Sequence, residues 1–396
     1  MSDTRPRVIF VNRVYWPSQA ATAQLLTDLA EGLAARGWTV HVIAAGSAPG
    51  PRNGVTIHLT GGGESHDGLV SRILNYHRFN HRARGVLAGL AQPGDVVVPL
   101  TDPPMLGAAV ASIARGHGAC LVHWVQDIYP EIVGAHLGRV ATLLLWALRA
   151  RRDAAWQAAR TCVTLGESMA QHIAARGVPP GRITIIPNWA PRELQALPGD
   201  AAITARRAAW DLAGKFVVAY SGNLGRVHEF KTILATASLL KEHPGIVFLF
   251  IGQGARIEEV RDEAMRLRLP NLRFLPPEPR ENLAASLAAA DVHLVTLKPA
   301  FADLVYPSKL AGVLAAGRPV LFVGPPSGEI ARLLAADGCG RAIAPGDGRR
   351  LAETILEWQG TPGRREELGR KARRTFEGRF GYSQALDRWE ETLRQA

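Results

Sequence analysis

The sequence predicts two doubly wound α/β domains in tandem, and three observations carry that prediction. Short runs rich in Val, Ile, Leu and aromatic residues recur along the whole chain. Stretches with apolar residues every three or four positions separate them, the period of helices with one buried face. Gly or Pro closes most segments. Strands that alternate with helices form βαβ units, whose strands lie parallel through right-handed crossovers.

The first unit opens with "RVIFVNRVYWP", then "AATAQLLTDLAEGLAARG", then "WTVHVIAAG": strand, helix ended by a glycine, strand. "DVVVPL", "ACLVHWV", "TCVTL" and "ITIIP" are further strands, with helices such as "MLGAAVASIARGHG" and "ESMAQHIAARGV" between them. A second series begins at "KFVVAYSG" and runs through "IVFLFIG", "LRFLP", "DVHLVTL" and "RPVLFVG". The Pro-, Ala- and charge-rich segment around residues 188–200 reads as a linker. The expected boundaries are 1–190 for an N-terminal domain and 200–376 for a C-terminal one. A terminal helix over 377–396, with Leu386, Trp389 and Leu393 on one face, is expected to pack back on the N-terminal domain. In open sheets of this kind ligands bind at the carboxyl ends of the strands, so the expected site is a cleft between the two domains.

Composition narrows the function. At 396 residues with 47% hydrophobic and 20% charged content, the chain can bury a sizeable core. Cys120, Cys162 and Cys339 are far apart, which supports neither a disulfide framework nor a zinc site and suits a reducing cytoplasm. "MSDTRPRVIF" leads straight into a strand without a cleavable apolar segment, and no run reaches the roughly 18 apolar residues of a membrane span. The net charge of +11 is shared by both halves, 18 Arg and no Lys against 12 acids up to residue 195. Spread charge of this kind suits phosphate-bearing substrates or an anionic membrane face better than nucleic acid. Residues 69–85 and 138–156 join apolar residues to clustered arginines, as either half-buried helices with a basic face or membrane-surface helices.

Three strand ends carry phosphate-friendly chemistry. "YSGNLGRVHEFKT" follows a strand and precedes a helix; Gly222 and Gly225 let a ligand approach the backbone, and the amides around Gly222, Asn223 and Leu224 suit a pyrophosphate. Arg226, His228 and Lys231 are read as adding positive charge. "FIGQGA" brings Gly252 and Gly254 to a second strand end, and "LVYPSKLAG" brings Ser308 and Lys309 to a third. A lysine at such a junction either meets an anion or snorkels to the surface. In the N-terminal half, "HWVQDIYPE" places His123, Gln126, Asp127 and Glu131 at a strand exit; Asp127 or His123 orients or deprotonates an acceptor hydroxyl, or Asp127 caps the next turn. Asp102 in "LTDPPML" caps a helix starting at Pro103 or Pro104 or belongs to the site. No GxSxG, HExxH, Walker A or kinase motif is present, and "NRVYWPSQAATAQ", containing Gln19, replaces the GxGxxG of a dinucleotide dehydrogenase.

In this order and spacing, "PNWAP", "AYSGNLGRVHEF", "FLFIGQGA", "AAADVHLVTL" and "YPSKLAGVLAAGRPVLFVG" resemble glycosyltransferase family 4, of GT-B fold. "YWPSQAATAQLLTDLAEGLAARG" and "QDIYPE" fit a bacterial branch of it that resembles colanic-acid-type fucosyltransferases. The resemblance implies a retaining transfer from a UDP- or GDP-linked sugar to a saccharide acceptor, lipid-linked in the expected pathways of surface polysaccharide synthesis. It implies no metal and no cofactor. Arg226, Lys309 and the amides near Gly222 and Asn223 would stabilise the departing diphosphate, which itself takes the acceptor proton. Gly252, Gly254, Ser308 and Leu224 complete the implied donor side; Gln19, Asp102 and Glu131 stand on the acceptor side. Two glutamates of the wider family fall at Gly312 and near Ala302 or Leu304, which leaves Asp303 as the nearest carboxylate. Partners are thus a nucleotide-sugar and an acceptor at the cytoplasmic face of the membrane, and not nucleic acid. A non-hydrolysing UDP-sugar 2-epimerase and a non-catalytic sugar-nucleotide-binding subunit are the alternatives.

Overall fold

The computed structural model describes residues 7–46, 52–62, 68–137 and 145–396. The chain forms two compact units. Unit 1 comprises Met1–Pro187, Asp303–Tyr306 and Ser383–Ala396; unit 2 comprises Asn188–Ala302 and Pro307–Tyr382.

Unit 1 is built on seven strands: β1 (Val8–Val11), β2 (Val40–Ala44), β3 (Val55–Leu59), β4 (Val96–Pro99), β5 (Cys120–Trp124), β6 (Thr161–Thr164) and β7 (Ile183–Ile185). They pair in parallel in the order β3-β2-β1-β4-β5-β6-β7. β1 and β4 are buried at every position, as parallel strands covered on both faces must be. Helix α1 (Ala21–Ala35) turns Leu25, Leu26, Leu29 and Leu33 inward. It stops where Gly37 takes a φ of 83°, with the Trp38 N–H donating to the Leu33 carbonyl. Helices α2 (Leu69–Leu90), α3 (Leu106–Gly116), α4 (Glu131–Leu137), α5 (Trp146–Ala158) and α6 (Glu167–Ala174) follow.

Unit 2 holds β8 (Phe216–Ser221), β9 (Ile246–Ile251), β10 (Leu272–Leu275), β11 (Val292–Thr296), β12 (Val320–Val323) and β13 (Gly340–Ile343), parallel in the order β10-β9-β8-β11-β12-β13. Its core joins the inward faces of β8 and β9 to Trp358 and to an aromatic group of Tyr220, Phe230, Phe250 and Phe274. The helices are α7 (Asp200–Ala209), α8 (Lys231–Leu239), α9 (Ile257–Arg266), α10 (Leu283–Ala288), α11 (Lys309–Ala315), α12 (Glu329–Asp337), α13 (Gly348–Gly360) and α14 (Pro362–Arg379). The final helix is α15 (Tyr382–Arg394).

The segment expected to be a linker is packed into unit 2. Trp189 and Leu194 are 3% and 1% exposed, and the Ala190 N–H donates to the Phe380 carbonyl. The closing stretch is two elements, because α14 runs on to Arg379 before α15 begins. From Ser383 onward α15 packs in unit 1, with Trp389 fully buried 4.6 Å from the Trp124 ring. Arg36 holds its outer face through Asp387 at 2.5 Å and Glu390 at 2.7 Å. Residues 138–144 of the basic stretch read as 138–156 lie outside the described residues.

Candidate functional site

Both sheets reverse their strand order once, between β1 and β4 and between β8 and β11. Ligands of open parallel sheets bind beyond the strand ends at such reversals. In unit 2 the loops after β8, β9 and β11 therefore bring "SGNLGRVHEF", "GQGA" and the approach to Lys309 to three adjacent strands.

The first two loops lock together through glycine. A Cβ on Gly252, where φ is 143°, would lie 2.2 Å from the Gly222 carbonyl oxygen, and one on Gly254, at 147°, 2.3 Å from Asn223 Oδ1. No other residue fits these positions. The Gly222 N–H donates to the Ile251 carbonyl, the Leu224 N–H to Gln253 and the Gly252 N–H to Leu275. These three amides are consumed inside the fold, which corrects the expectation that the Gly222 and Leu224 amides face a ligand. Leu224 is fully buried and contributes packing. Asn223 and Arg226 are exposed.

Lys309 lies across Gly222: a Cβ there would come within 2.8 Å of its Cε. Its Nζ sits 3.0 Å from His228 Nε2 and 5.2 Å from the centre of the Tyr220 ring. Burial pushes its ammonium down to about 7. No carboxylate is among its described contacts. His228 is 6% exposed, and its Nδ1 is 2.8 Å from the Thr296 carbonyl oxygen. Burial first, then the charge of Lys309, pushes the imidazole down to about 3. His228 is thus neutral, contrary to the expectation that it adds positive charge. Glu229, also buried, accepts the Thr232 N–H and starts α8. Lys231 and Ser308 are exposed, and the Ser308 hydroxyl makes no cap to α11. Asp303 is exposed and belongs to the segment counted in unit 1; no described contact joins it to Lys309. A Cβ on Gly312 would meet Leu194 and Leu287 at 3.6 Å, an apolar setting without a place for a charge.

Unit 1 places Arg13 after β1 and Asp102 after β4. Arg13 Nε and Nη2 donate to the two Asp102 oxygens at 3.0 and 2.9 Å, and the guanidinium lies 5.4 Å from the Tyr76 ring centre. Asp102 is therefore half of a bidentate pair, and α3 starts only at Leu106, so the helix-cap reading falls. Half-buried Asp127 lies beside it, and the Ile128 N–H donates to the Leu304 carbonyl. Burial first, then the Asp102 charge, raises the Asp127 carboxyl to about 6. Gln19 is exposed, with Gln24 Nε2 donating to its carbonyl at 3.0 Å.

Two expected residues of this unit are structural. His123 sits within β5, not at its exit, with its ring against α3: a Cβ on Gly107 would lie 1.9 Å from its Cε1. Burial lowers this imidazole to about 4, so it is a neutral core group without access to a substrate. Glu131 receives both Arg152 Nη groups at 2.8 Å, with Arg149 Nε at 3.5 Å and Arg176 Nη2 at 3.8 Å. Despite burial, the nearby His172 ring, its Nε2 3.8 Å away, and the two Arg152 hydrogen bonds hold it down to about 2. It is a buried ion-pair centre, not an acceptor contact. The sequence also missed Arg13, Tyr76, Tyr220 and Thr296, whose roles arise only from contacts far apart in the chain.

The signature described as "Glycosyl transferase 4-like domain" matches residues 21–189, and that described as "Glycosyl transferases group 1" matches residues 203–375. The chain is 30% identical to the probable glycosyltransferase WbjE of Pseudomonas aeruginosa over 273 residues, 68% of each protein. The chain belongs to the group 1 glycosyltransferases. This glycosyltransferase is also 32% identical over 155 residues to the putative colanic acid biosynthesis glycosyl transferase WcaI of Escherichia coli (strain K12), 39% of the chain and 38% of WcaI. Its fold is that of Anabaena HepE, solved in complex with UDP, at a TM-score of 0.74 with 14% identity over 98% of this chain and 100% of HepE. It is also that of sucrose-phosphate synthase from Thermosynechococcus elongatus, at 0.79 with 17% identity over 99% of both. The two units of the transferase are thus the two Rossmann-like domains of a GT-B enzyme. Among its described residues no helix is long and apolar enough to cross a membrane, and no three His, Cys, Asp or Glu side chains gather as a metal site.

Proposed function

We propose that this glycosyltransferase takes its sugar from a nucleotide diphosphate donor held by unit 2 and passes it, with retention, to a hydroxyl of a saccharide acceptor held by unit 1. The observation that carries this reading is Lys309, a desolvated ammonium whose described neighbours are an imidazole nitrogen and a phenol ring. A buried cation without a counter-charge is costly, and an arriving diphosphate removes the cost. Lys309 and Arg226 then counter the charge that develops as the C1–oxygen bond breaks and its electron pair passes to the diphosphate. The acceptor hydroxyl attacks C1 on the same face, and its proton goes to the departing phosphate oxygen. In unit 1 the Asp127 carboxylate, ionised above about 6, accepts a hydrogen bond from that hydroxyl and orients it.

Polysaccharide synthesis fits the name of WcaI, a putative colanic acid biosynthesis glycosyl transferase, and the reading takes the acceptor as lipid-linked. Unit 1 supports membrane contact: α2 carries Ile73 and Leu74 half exposed and Arg78 and Arg84 exposed further along, without one acid in its length, and Trp146 opens α5 at 70% exposure. The test is a thermal-shift panel of UDP, GDP and their sugars, followed by anomeric analysis of the product. The reading expects one nucleoside diphosphate to raise the melting temperature, and transfer that keeps the donor's anomeric configuration. An inverted product, or no response to any nucleotide, overturns it.

A further inference from the structure

We infer that His228 is a positioning residue of the donor site, whose Nε2 lone pair aims the Lys309 ammonium at the bound diphosphate; this deepens the donor reading above and rests on it. The tautomer follows from geometry. The Thr296 carbonyl can only accept, so His228 Nδ1 carries the hydrogen of the 2.8 Å contact. Nε2 is then a lone pair, and the 3.0 Å contact to Lys309 requires the lysine to donate. The ring itself cannot turn: it is 6% exposed and wedged at 5.9 Å from the Tyr220 ring centre and 6.2 Å from that of Phe230.

An ammonium has three N–H bonds on a flexible four-carbon stem. Here the stem lies on Gly222, one N–H goes to Nε2, and the face of Tyr220 takes part of the charge. No described contact uses the remaining N–H bonds. The groups around the pair keep the imidazole neutral. Arg256 Nη1 donates to the His228 carbonyl, Lys298 Nζ donates to the Arg226 carbonyl, and Lys231 opens α8 nearby. The acids at hand are engaged, Glu229 by the Thr232 amide and Glu259 by Arg256. With His228 neutral, Lys309 donates to Nε2 either as the ammonium, whose N–H bonds are the stronger donors, or as the amine, and burial puts the lysine's proton loss at about 7 before donor binds.

The test uses two variants of the full chain that leave the Thr296 contact possible. In His228→Gln the amide oxygen reaches the place of Nε2; in His228→Asn the side chain reaches Thr296 but offers no acceptor to Lys309. UDP and GDP affinities are measured by calorimetry from pH 6 to pH 9, with thermal melting as the check of folding. Lys309 is followed by nitrogen NMR of the chain's six lysines, assigned with Lys309→Met. The inference expects His228→Asn to lose about tenfold in affinity for the diphosphate and its alkaline loss of binding to begin about one pH unit lower. The donor KM rises more than kcat falls, and His228→Gln stays within about twofold of the parent, since it keeps the acceptor that carries the effect. An unchanged alkaline limb and an unchanged Lys309 titration in His228→Asn overturn the assignment, whatever happens to stability. Should neither nucleotide bind the parent protein, the donor reading fails, while the Lys309 titration still decides whether His228 controls that proton.

Discussion

Replacing Lys309 by methionine should make the protein more stable at pH 6 and less stable at pH 10. The lysine's fall from 10.5 to about 7 corresponds to about 5 kcal/mol at roughly 1.4 kcal/mol per pH unit. That is the largest penalty the fold can carry for keeping the ammonium out of water. Methionine fills the same space over Gly222 without the charge, but it leaves His228 Nε2 with no donor, which takes back about 1–3 kcal/mol. The net expectation below pH 7 is a gain of about 2–4 kcal/mol. Between about 7 and 10.5 the unfolded chain holds the Lys309 proton and the folded chain has released it, so wild-type stability rises with pH through this window. The variant has no such rise from this site, and by pH 10 only the orphaned imidazole remains. Urea unfolding followed by tryptophan fluorescence at pH 6, 8 and 10 measures the difference, and titrating groups that Lys309 does not touch cancel in it. A difference constant with pH within about 0.5 kcal/mol would refute the claim that Lys309 is desolvated.

Glu131→Gln should cost about 1–3 kcal/mol at pH 7, because buried Arg152 loses its bidentate partner and keeps only Asp153 and the Tyr129 carbonyl. The ion pair contributes above pH 4.5 and is lost as pH falls toward 2, so the variant should also show a flatter acid limb in unfolding. Asp127→Asn should remove the fall in kcat/KM expected below about pH 6 and leave a plateau roughly tenfold to a hundredfold lower, measured by donor turnover across pH 5–8.

The fold was legible in the sequence because buried parallel strands are apolar along nearly their whole length: β9 and β12 have no polar residue, and β8 and β11 break the run only at Ser221, His293 and Thr296. Lys309 was legible for a related reason, as a lysine set between a Pro-Ser pair and an apolar run. Its partner was not. That His228 is a neutral acceptor depends on the Thr296 carbonyl, 68 residues away, and a motif shows only a basic residue type. The Arg13–Asp102 pair spans 89 positions and was hidden in the same way. His123 offered a usable signal: within a strand the two-residue period puts it on the side of Leu121 and Val125, toward packing and not toward the strand exit. Glu131 offered none, since its arginines come from α5 and the turn after α6.

The two sheets treat their charged groups at the strand reversal in opposite ways, and the difference supports the division of labour proposed here. Unit 1 neutralises its own cation: Arg13 spends both ends of its guanidinium fork on Asp102, so a phosphate arriving there would have to break a bidentate pair. What unit 1 leaves available is a half-buried carboxylate, Asp127, suited to a hydroxyl and hostile to an anion. Unit 2 leaves its cation uncompensated, holds it with an imidazole that cannot share the charge, and packs it against glycine where a ligand can approach. That contrast in charge is what the proposal of a neutral acceptor for the first unit and a diphosphate for the second rests on, each ligand supplying what its unit lacks.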